Sequence, residues 1–214
     1  KQNLGPFDAI VSPLSFLQVN NDVRDAIYDE VCKTLKDFDG DILEFYSGVG
    51  LLTAQIAMRL KEANITSVEI EPSAVENAIA LMKSLGIDGR VKCVCDDVAN
   101  YVKALSKHSD EEEESLPDEI TSSPFYLGEK TQKTARRPLA LVLDPPRKGC
   151  DKSVLESAIE AKIEKIVYVS CNPQTLARDL KILSQNYVVN RVVPYDMFPQ
   201  TSNVEVFCEL TIRN

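Results

Sequence analysis

A doubly wound α/β fold with a mostly parallel, seven-stranded sheet is predicted from three features of this 214-residue sequence. Short runs of apolar, often β-branched residues alternate with segments whose apolar residues recur at helical spacing. Gly and Pro separate most of these segments. Hydrophobic residues make up 44% of the chain, enough for one full domain. Because strands and helices alternate, right-handed crossovers should produce a Rossmann-like sheet, and its last strand should run antiparallel.

The first half of the chain predicts a leading helix and three strand–helix units. Residues 1–40 should hold a leading segment and a helix capped by Asn21, packed on a main domain of residues 41–214. Ser73-x-x-Glu76, directly after Pro72, is a capping pattern for a later helix. The predicted strands and helices of this half are Ile42–Phe45, Leu51–Leu60, Thr66–Ile70, Pro72–Leu85, Val91–Cys95 and Val98–Leu105.

The second half begins with a change of composition. Residues 108–137 hold an Asp-Glu-Glu-Glu-Glu run followed by Pro and Ser, which predicts a disordered acidic insertion. Asn172 and Pro173 are suited to the N-cap and first position of a helix. Residues 204–212 alternate as an antiparallel strand does. The other predicted elements are Leu139–Leu143, Lys152–Ile159, Ile166–Val169 and Val189–Val193.

Composition and charge exclude several classes of function. The formal net charge of −9 is the wrong sign for a stand-alone nucleic-acid binder. No apolar run is long enough to span a bilayer, and no signal peptide is present, so we expect no membrane partner. The six cysteines are scattered without zinc-site spacing. We therefore expect an intracellular, reducing compartment, no bound metal and a monomer, while cytoplasm, nucleus and organelle stay open.

A cofactor pocket is predicted where the first three strands end. Glu44 and the turn containing Tyr46, Gly48 and Gly50 close the first strand, where glycine lets the backbone approach a ligand. A carboxylate beside the turn disfavours a phosphate and suits an amino or ribose group. Glu69 ends the second strand, and Asp96 and Asp97 follow the third. This order of acidic residues and glycines is similar to that of S-adenosylmethionine-dependent methyltransferases.

A second candidate site lies at the ends of the next two strands. Asp144 begins an Asp-Pro-Pro-Arg segment and could accept a hydrogen bond from a ring N–H or an amine. Cys171 stands between a strand and the N-terminus of a helix, where the helix dipole favours a thiolate. A comparable Asp-Pro-Pro occurs in methyltransferases of exocyclic amines, which is a rival interpretation. In a third, the chain is a non-catalytic RNA-binding scaffold.

Five segments together resemble, in this order, the RNA uracil-5 methyltransferase family. The resemblance covers nearly the whole chain except residues 108–137, and it is closer to the ribosomal-RNA branch than to the bacterial tRNA branch. Where the family has a His two residues before its final Glu, this chain has Asn203. The segments are Phe-Leu-Gln-Val-Asn at 16–20, Glu44 to Gly50, Asp-Pro-Pro-Arg-Lys-Gly at 144–149, the Ser-Cys-Asn-Pro segment at 170–179, and Asp-Met-Phe-Pro at 196–199 with Glu205.

The resemblance implies an activity and a chemistry. The cofactor would be S-adenosylmethionine, and the substrate C5 of a uridine in tRNA or rRNA. Cys171 would be the nucleophile that adds to C6, and Glu205 the base that removes the C5 proton. The target base must be flipped out of the RNA to reach them. Family members commonly carry an N-terminal RNA-binding domain, some with an iron–sulfur cluster, which we expect to be absent from this chain.

The family motifs also imply which residues bind. Phe16 would line the target-base pocket, and Arg147 would contact the substrate. Gln18 and Asp144 would contact both the uracil edge and the cofactor region. The implied cofactor-binding residues are Gln18, Glu44, Tyr46, Gly48, Gly50, Glu69, Asp97 and Asp144.

Overall fold

The computed structural model describes residues 2–3, 8–9, 20–107, 139–197, 199–201 and 203–213. The predictions for Phe16, Gln18 and the acidic insertion at 108–137 lie outside these residues. The elements, in chain order, are β1 (Gln2–Asn3), β2 (Asp8–Ala9), α1 (Asn21–Leu35), β3 (Asp41–Phe45), α2 (Leu51–Arg59), β4 (Ile65–Glu69), α3 (Pro72–Leu85), β5 (Val91–Cys95), α4 (Val98–Lys107), β6 (Leu139–Leu143), α5 (Lys152–Glu160), β7 (Lys165–Ser170), α6 (Pro173–Leu183), β8 (Tyr187–Tyr195) and β9 (Glu205–Ile212).

The main sheet confirms the predicted fold class. Its seven strands lie in the order β5-β4-β3-β6-β7-β9-β8. The pairs formed by β3, β4, β5, β6 and β7 are parallel, and β9 pairs antiparallel with both β7 and β8. The chain winds outwards from β3 to β5 and then returns to place β6 on the other side of β3. The strand order therefore switches between β3 and β6, the point where ligands bind in sheets of this type.

Alternating side chains along the strands build two cores, one on each face. Ile42 and Val142 contribute to a core with α1, α2 and α3, while Leu43 and Leu141 contribute to a core with residues from α4, α5 and α6. The central strands are buried on both faces, which explains why their sequences are nearly continuous apolar runs. The result is three layers with the carboxyl ends of the parallel strands at one edge.

Helix α1 belongs to the first of these cores. Ile27, Val31 and Leu35 are completely buried in it. Asn20, directly before the helix, also donates from its side chain to the carbonyl oxygen of Met197 at 3.3 Å. The start of α1 is thereby joined to the loop between β8 and β9. Within the described part of the chain, no helix has the length and apolar character needed to cross a membrane.

Of the three helix caps predicted, that of α6 is correct. The caps of α1 and α3 lie one and two residues earlier than predicted. Asn172 caps α6, accepting the Gln174 N–H at 3.0 Å, as expected. Helix α1 is capped by Asn20, not Asn21. Helix α3 is capped by Glu71, which accepts from the Ser73 N–H, and not by Ser73. Pro72 explains the second error, because proline occupies the first helical position and the cap must precede it.

Candidate active site

Three polar side chains continue the rows of one sheet face at its carboxyl edge. Glu44 follows Ile42 by two residues in β3, and Asp144 follows Val142 by two residues at the end of β6. The same step of two separates Cys171 from Val169 in β7. Because side chains alternate along a strand, these groups lie on the face covered by α1, α2 and α3. The pleat therefore brings the polar groups of both predicted sites to one edge, across the switch point.

Antiparallel pairing places Cys171 opposite Glu205. Ser170 pairs with Val206 in the register between β7 and β9, so the next pair along is Cys171 with Glu205. Directly opposite residues in such a pair have Cβ atoms about 5 Å apart and on one face. Cys171 is half-buried, and Glu205 is buried. The predicted nucleophile and base are thus neighbours, although 34 positions separate them in the chain.

Burial shifts the carboxyls of Glu205 and Asp144 towards the neutral form, and the charge of Glu205 adds to the shift of Asp144. Burial raises the pKa of Glu205 to about 7, and the positive charge of Arg147 partly opposes this rise. Burial, together with the charge of Glu205, raises the pKa of Asp144 to about 7. Glu205 Oε2 is also buried without a hydrogen-bond partner among the described residues. A carboxyl that changes charge near neutral pH and has a free acceptor is suited to taking up a proton.

The expectation of a stabilised Cys171 thiolate is wrong for this structure. Burial raises the pKa of the Cys171 thiol, and the charges of Glu205 and Asp144 raise it further. Arg147 and a backbone hydrogen bond act in the opposite direction but do not outweigh these effects. The helix N-terminus is present, as predicted, but the two carboxylates facing the sulfur could not be placed there from the local sequence.

Glu44 supplies an acceptor for a cationic or donor group of a ligand. The side chain is only 2% exposed, and Oε2 has no hydrogen-bond partner in the part of the chain described. Burial raises the pKa of Glu44 to about 8, the nearby Thr53 hydroxyl opposes this rise, and the charge of Asp144 adds to it. A buried carboxylate oxygen without a donor is unfavourable unless something binds it. The site therefore fits a ligand that presents an amino group at the switch point.

The two glycines of the predicted pocket have different roles. A Cβ built on Gly48 would meet no described atom within 4 Å, so Gly48 borders open space that a ligand can occupy. A Cβ on Gly50 would lie 2.9 Å from Ala78 Cβ and from Met82 Cε, so Gly50 serves the close packing of α2 on α3. Tyr46 takes a left-handed backbone conformation, with φ of 65°, where the chain turns out of β3.

Glu69 is held at the rim of this turn. Its Oε2 accepts the Gly48 N–H at 2.9 Å, and its Oε1 accepts the Glu71 N–H at 3.0 Å. Ile70, the next residue, is an exposed apolar side chain, with 61% of its surface accessible. An oriented carboxylate beside an exposed apolar surface fits a ribose attached to a flat ring. The sequence analysis did not select Ile70; its position directly after Glu69 was the available signal.

Asp97 has a structural role in addition to the predicted one. Its Oδ1 accepts the N–H groups of Ala99 at 2.9 Å and Asn100 at 3.1 Å, so it caps α4. Asp96 Oδ1 in turn accepts the Asp97 N–H at 2.8 Å. Both acids lie at the third strand end, as predicted. Helix capping alone accounts for the residue type at position 97.

Tyr28 is a second residue that the sequence analysis missed. It lies on α1, nearly buried, in the same core cluster as Val49 of the glycine turn. Burial raises its pKa strongly, and the charges of Asp144 and Glu44 add to this. A tyrosine in the apolar stripe of α1 was the only signal in the sequence. Tyr28 therefore lies in the helix layer near the carboxyl groups of Asp144 and Glu44.

Asn203 and Arg147 complete the placement of the predicted residues. Asn203, where the family has His, is exposed, and its backbone N–H donates to Thr201 Oγ1 at 3.2 Å. Arg147 is exposed, and its charge acts on both Cys171 and Glu205. The described part of the site thus joins Glu44, Asp144, Arg147, Cys171 and Glu205, with the turn at Gly48 and the carboxylate of Glu69 on the other side of the switch point.

Comparison with known proteins supports the motif analysis. Residues 129–212 match the family described as tRNA (Uracil-5-)-methyltransferase. The chain is 33% identical over 212 residues to an uncharacterized RNA methyltransferase of Oceanobacillus iheyensis, covering 98% of this chain and 40% of that protein. It is 36% identical over 207 residues to one of Clostridium acetobutylicum, covering 94% and 38%. The chain thus spans about two fifths of the length of these relatives.

A solved structure of a tRNA methyltransferase has the same fold as this chain. The tRNA (uracil-54, C5)-methyltransferase of Pyrococcus abyssi, determined with S-adenosyl-L-homocysteine, superposes with a TM-score of 0.70 at 25% identity. The superposition covers 98% of this chain and 43% of the Pyrococcus protein. The resemblance predicted from the motifs is therefore confirmed: residues 129–212 match the tRNA (Uracil-5-)-methyltransferase family, nearly the whole chain is similar to RNA methyltransferases, and its fold is that of the class I methyltransferases.

Proposed function

We propose that this chain is the catalytic part of an enzyme that transfers a methyl group from S-adenosylmethionine to C5 of a uridine in RNA. The observation that carries the proposal is the register of β7 and β9, which pairs Ser170 with Val206 and so places Cys171 and Glu205 at the next opposite positions. The pair lies at the same edge as Glu44, whose buried Oε2 has no partner among the described residues. A thiol, a base and an acceptor for an amino group are what this reaction requires.

The cofactor would occupy the switch-point side of the edge. Glu44 would accept a hydrogen bond from the amino group of the cofactor, and Glu69 would accept from its ribose hydroxyls. The open space at Gly48 would leave room for the part of the cofactor that lies against the turn. Asp144 borders the same region. Tyr46, Gly50 and Asp97 are assigned to it from the strand ends in the sequence, and Gln18 from the family motifs. When bound, S-adenosylmethionine supplies an electrophilic methyl group on a positively charged sulfur.

The chain's own residues would perform the covalent steps on uracil. The Cys171 thiolate adds to C6, forming an S–C6 bond while the C5–C6 π electrons move towards C5 and the O4 oxygen. C5 then attacks the methyl group, and the electron pair of the broken S–CH3 bond stays on the cofactor sulfur. Glu205 removes the C5 proton, and the C–H electron pair restores the C5–C6 double bond as the Cys171 thiolate leaves.

The electrostatics of the site support these roles. With its pKa raised to about 7, Glu205 is a stronger base than an ordinary glutamate and is still partly ionised at neutral pH. Asp144 can accept a hydrogen bond from the uracil ring N–H, which would orient C6 towards Cys171. Arg147 is the cation that favours the Cys171 thiolate. Phe16 and Gln18, which lie outside the described residues, complete the proposed base pocket on the family motifs.

RNA is the proposed substrate, and its binding to these residues should be weak. The formal net charge of −9 opposes a polyanion, and counterion release supplies most of the affinity of RNA-binding proteins. We therefore expect S-adenosylmethionine binding to be readily measured by calorimetry, and RNA affinity in filter binding to be low and sensitive to salt. Tight, salt-resistant RNA binding by this chain would contradict that expectation.

Trapping of a covalent adduct tests the proposed function. Bulk tRNA and rRNA transcribed with 5-fluorouridine should form a denaturation-resistant complex with the protein in the presence of S-adenosylmethionine, because fluorine at C5 cannot be removed as a proton. C171S should abolish the complex. The matched control is C95S, which alters an exposed thiol at the end of β5, four strands away in the sheet. Methyl transfer that persists in C171S without a covalent adduct would favour an amino-methyltransferase with a structural Cys171, and failure to bind the cofactor would favour a non-catalytic scaffold.

A further inference from the structure

The segment from Asp144 to Cys150, here called the proline loop, is held mainly through its carbonyl groups. Pro145 and Pro146 have no backbone N–H, so this stretch offers few donors for ordinary turn hydrogen bonds. Gly149 N–H donates to the Pro146 carbonyl oxygen at 2.8 Å, which closes the loop on itself. At its start the Asp144 N–H donates to the Phe45 carbonyl oxygen at 3.5 Å, and the hydrogen bonds described next come from Asn172 and from side chains of α6, the helix that follows Cys171.

The first of these contacts is at Arg147. Its carbonyl oxygen accepts from Asn172 Nδ2 at 3.1 Å and from Thr175 Oγ1 at 3.2 Å. The amide oxygen of Asn172 caps α6 at the same time, so this side chain joins the loop to the helix N-terminus. Two donors on one carbonyl fix the backbone of Arg147 relative to the turn that carries Cys171.

The second contact is a hydrogen-bond network around the buried carboxylate of Asp179, at the end of the loop. Arg178 Nη2 donates to the carbonyl oxygens of Lys148 at 3.0 Å and Cys150 at 3.2 Å. Arg178 Nε donates to Asp179 Oδ1 at 2.8 Å. Asp179 Oδ2 accepts the Cys150 N–H at 2.9 Å and the Tyr168 hydroxyl at 2.7 Å. Asp179 is completely buried, so its carboxylate is tied to α6, to β7 and to the loop at once.

The fit between the loop and α6 leaves no room for a side chain at Gly149. Its φ is 76°, and a Cβ there would lie 2.6 Å from both Arg178 Nη2 and Asp179 Oδ2. Close contact and six hydrogen bonds therefore act on a stretch of four residues, Arg147 to Cys150. These contacts fix the backbone of this stretch relative to α6.

We propose that Thr175, Arg178 and Asp179 are positioning residues that hold the proline loop on α6 so that the Arg147 guanidinium stays beside Cys171 and Glu205. Arg178 thus serves the protein's own backbone rather than RNA phosphate. The catalytic consequence rests on the proposed function, but the positioning of Arg147 beside a thiol does not. The charged groups that act on Cys171 are Glu205 on β9, Asp144 at the end of β6, and Arg147 on the proline loop.

Alkylation of Cys171 provides a test without RNA or cofactor. The rate of iodoacetamide modification is followed by peptide mass spectrometry, with the exposed Cys95 as an internal reference. Removing the nearby cation in R147Q should slow modification at neutral pH about threefold, because the thiolate fraction falls as the thiol pKa rises. R178K, which keeps the charge but loses the planar fork, should slow it about twofold. T175V removes only the hydroxyl that holds the Arg147 carbonyl, and should act in the same direction.

A double-mutant comparison separates positioning from general loosening. In the R147Q background, R178K and T175V should cause no further slowing, because the cation that they position is already absent. R59K is the matched control: Arg59 also pairs with an aspartate, Asp29, and its side chain is 45% exposed against 53% for Arg178. Unchanged rates in folded R178K and T175V, or equal slowing with and without Arg147, would overturn the proposal. T175V keeps the test open if R178K does not fold.

The outcome of the alkylation test does not depend on whether the proposed function is correct. If methyl transfer fails while the alkylation rates change as expected, the positioning stands and the proposed activity does not. If methyl transfer succeeds, R178K should lower kcat about as much as it lowers the alkylation rate, with the KM for S-adenosylmethionine unchanged. A change confined to that KM would contradict a role in positioning Arg147.

Discussion

The two halves of the sheet edge are built by different means. The half formed by the ends of β3, β4 and β5 is shaped by backbone: a left-handed residue at Tyr46, open space at Gly48, and carboxylates that accept from N–H groups within a few residues or one strand away. The half formed by the ends of β6, β7 and β9 is shaped by side chains from a helix. Asp179 and Arg178 reach across to a loop about 30 positions earlier in the chain.

The difference follows from the residues of each half. In the first half, backbone N–H groups of the glycine turn and of the α4 start donate to nearby carboxylates, as Gly48 does to Glu69 and Ala99 to Asp97, so its shape is set by short-range contacts. Two prolines remove such groups from the second half, and its geometry must come from side-chain donors and from strand pairing. A cofactor site can thus be encoded locally, whereas a site that aligns a nucleophile, a base and a cation requires tertiary contacts.

The largest effect should come from the second half, at Glu205. E205Q keeps the size of the side chain but cannot take up a proton, so turnover should fall by about 10²- to 10⁴-fold. Methylated RNA should remain attached to Cys171 and be visible as a covalent complex on denaturing gels. The matched control is E209Q, four residues along β9, where Glu209 pairs with Lys165. Full turnover in E205Q would remove Glu205 from the proposed chemistry.

The next effect is on stability, at Asp179. D179A leaves the Tyr168 hydroxyl and the Cys150 N–H without an acceptor in a buried place, so the free energy of unfolding should fall by about 3 kcal/mol. Urea denaturation measures this change. Y168F, which removes one of these two donors but keeps the ring, should lower it by only about 1 kcal/mol. A smaller loss in D179A than in Y168F would show that the second half does not depend on this carboxylate.

A pH effect tests the carboxyl between the two halves, Glu44. Burial raises its pKa from 4.5 to about 8, so the folded protein holds this proton more tightly than the unfolded chain does. The contribution of Glu44 to stability is therefore present below about pH 4.5 and is lost as the pH rises towards 8. Replacement by Gln should remove the part of this decline that Glu44 causes, because Gln does not titrate.

The measurement for Glu44 is urea denaturation of E44Q and the unmodified protein across this pH range. The quantity to compare is the difference in the free energy of unfolding between the two proteins. Asp144 and Glu205 also have raised pKa values, so they lower the stability in the same direction as the pH rises. E156Q, which alters an exposed carboxylate paired with Lys152, serves as the control. Parallel curves for E44Q and the unmodified protein would mean that Glu44 is not protonated in the folded state.

The smallest effect belongs to the first half, at Asp97. D97A removes the cap of α4 and should lower the free energy of unfolding by about 1 kcal/mol. D97S restores a capping oxygen and should recover most of this stability. Calorimetry with S-adenosylmethionine then separates the two roles, because Ser cannot reach an adenine amine in place of the longer Asp. If D97S binds the cofactor as well as the unmodified protein does, capping is the only role of Asp97.

Much of the fold and the outline of the site could be predicted from local sequence. The β-branched runs and helical spacings located the main strands and helices, because side-chain periodicity is fixed by backbone geometry. The strand ends then located Glu44, Glu69, Asp144 and Cys171 at one edge, since parallel strands share their direction. The cap error at Asn21 arose because Asn20 and Asn21 can both cap a helix, and the error at Ser73 because Pro72 takes the first helical position, so the cap precedes it.

The sequence by itself determined the alternation of strands and helices, the polar residues at the strand ends and the family motifs, since each depends on a few neighbouring positions. Only the tertiary structure decided that Glu205 faces Cys171, that Arg147 lies beside both, and that Arg178 and Asp179 hold the proline loop. It also reversed the expected pKa shift of the Cys171 thiol. The reason is physical: burial, strand register and the sum of nearby charges depend on groups that are distant in the chain and meet only when it folds.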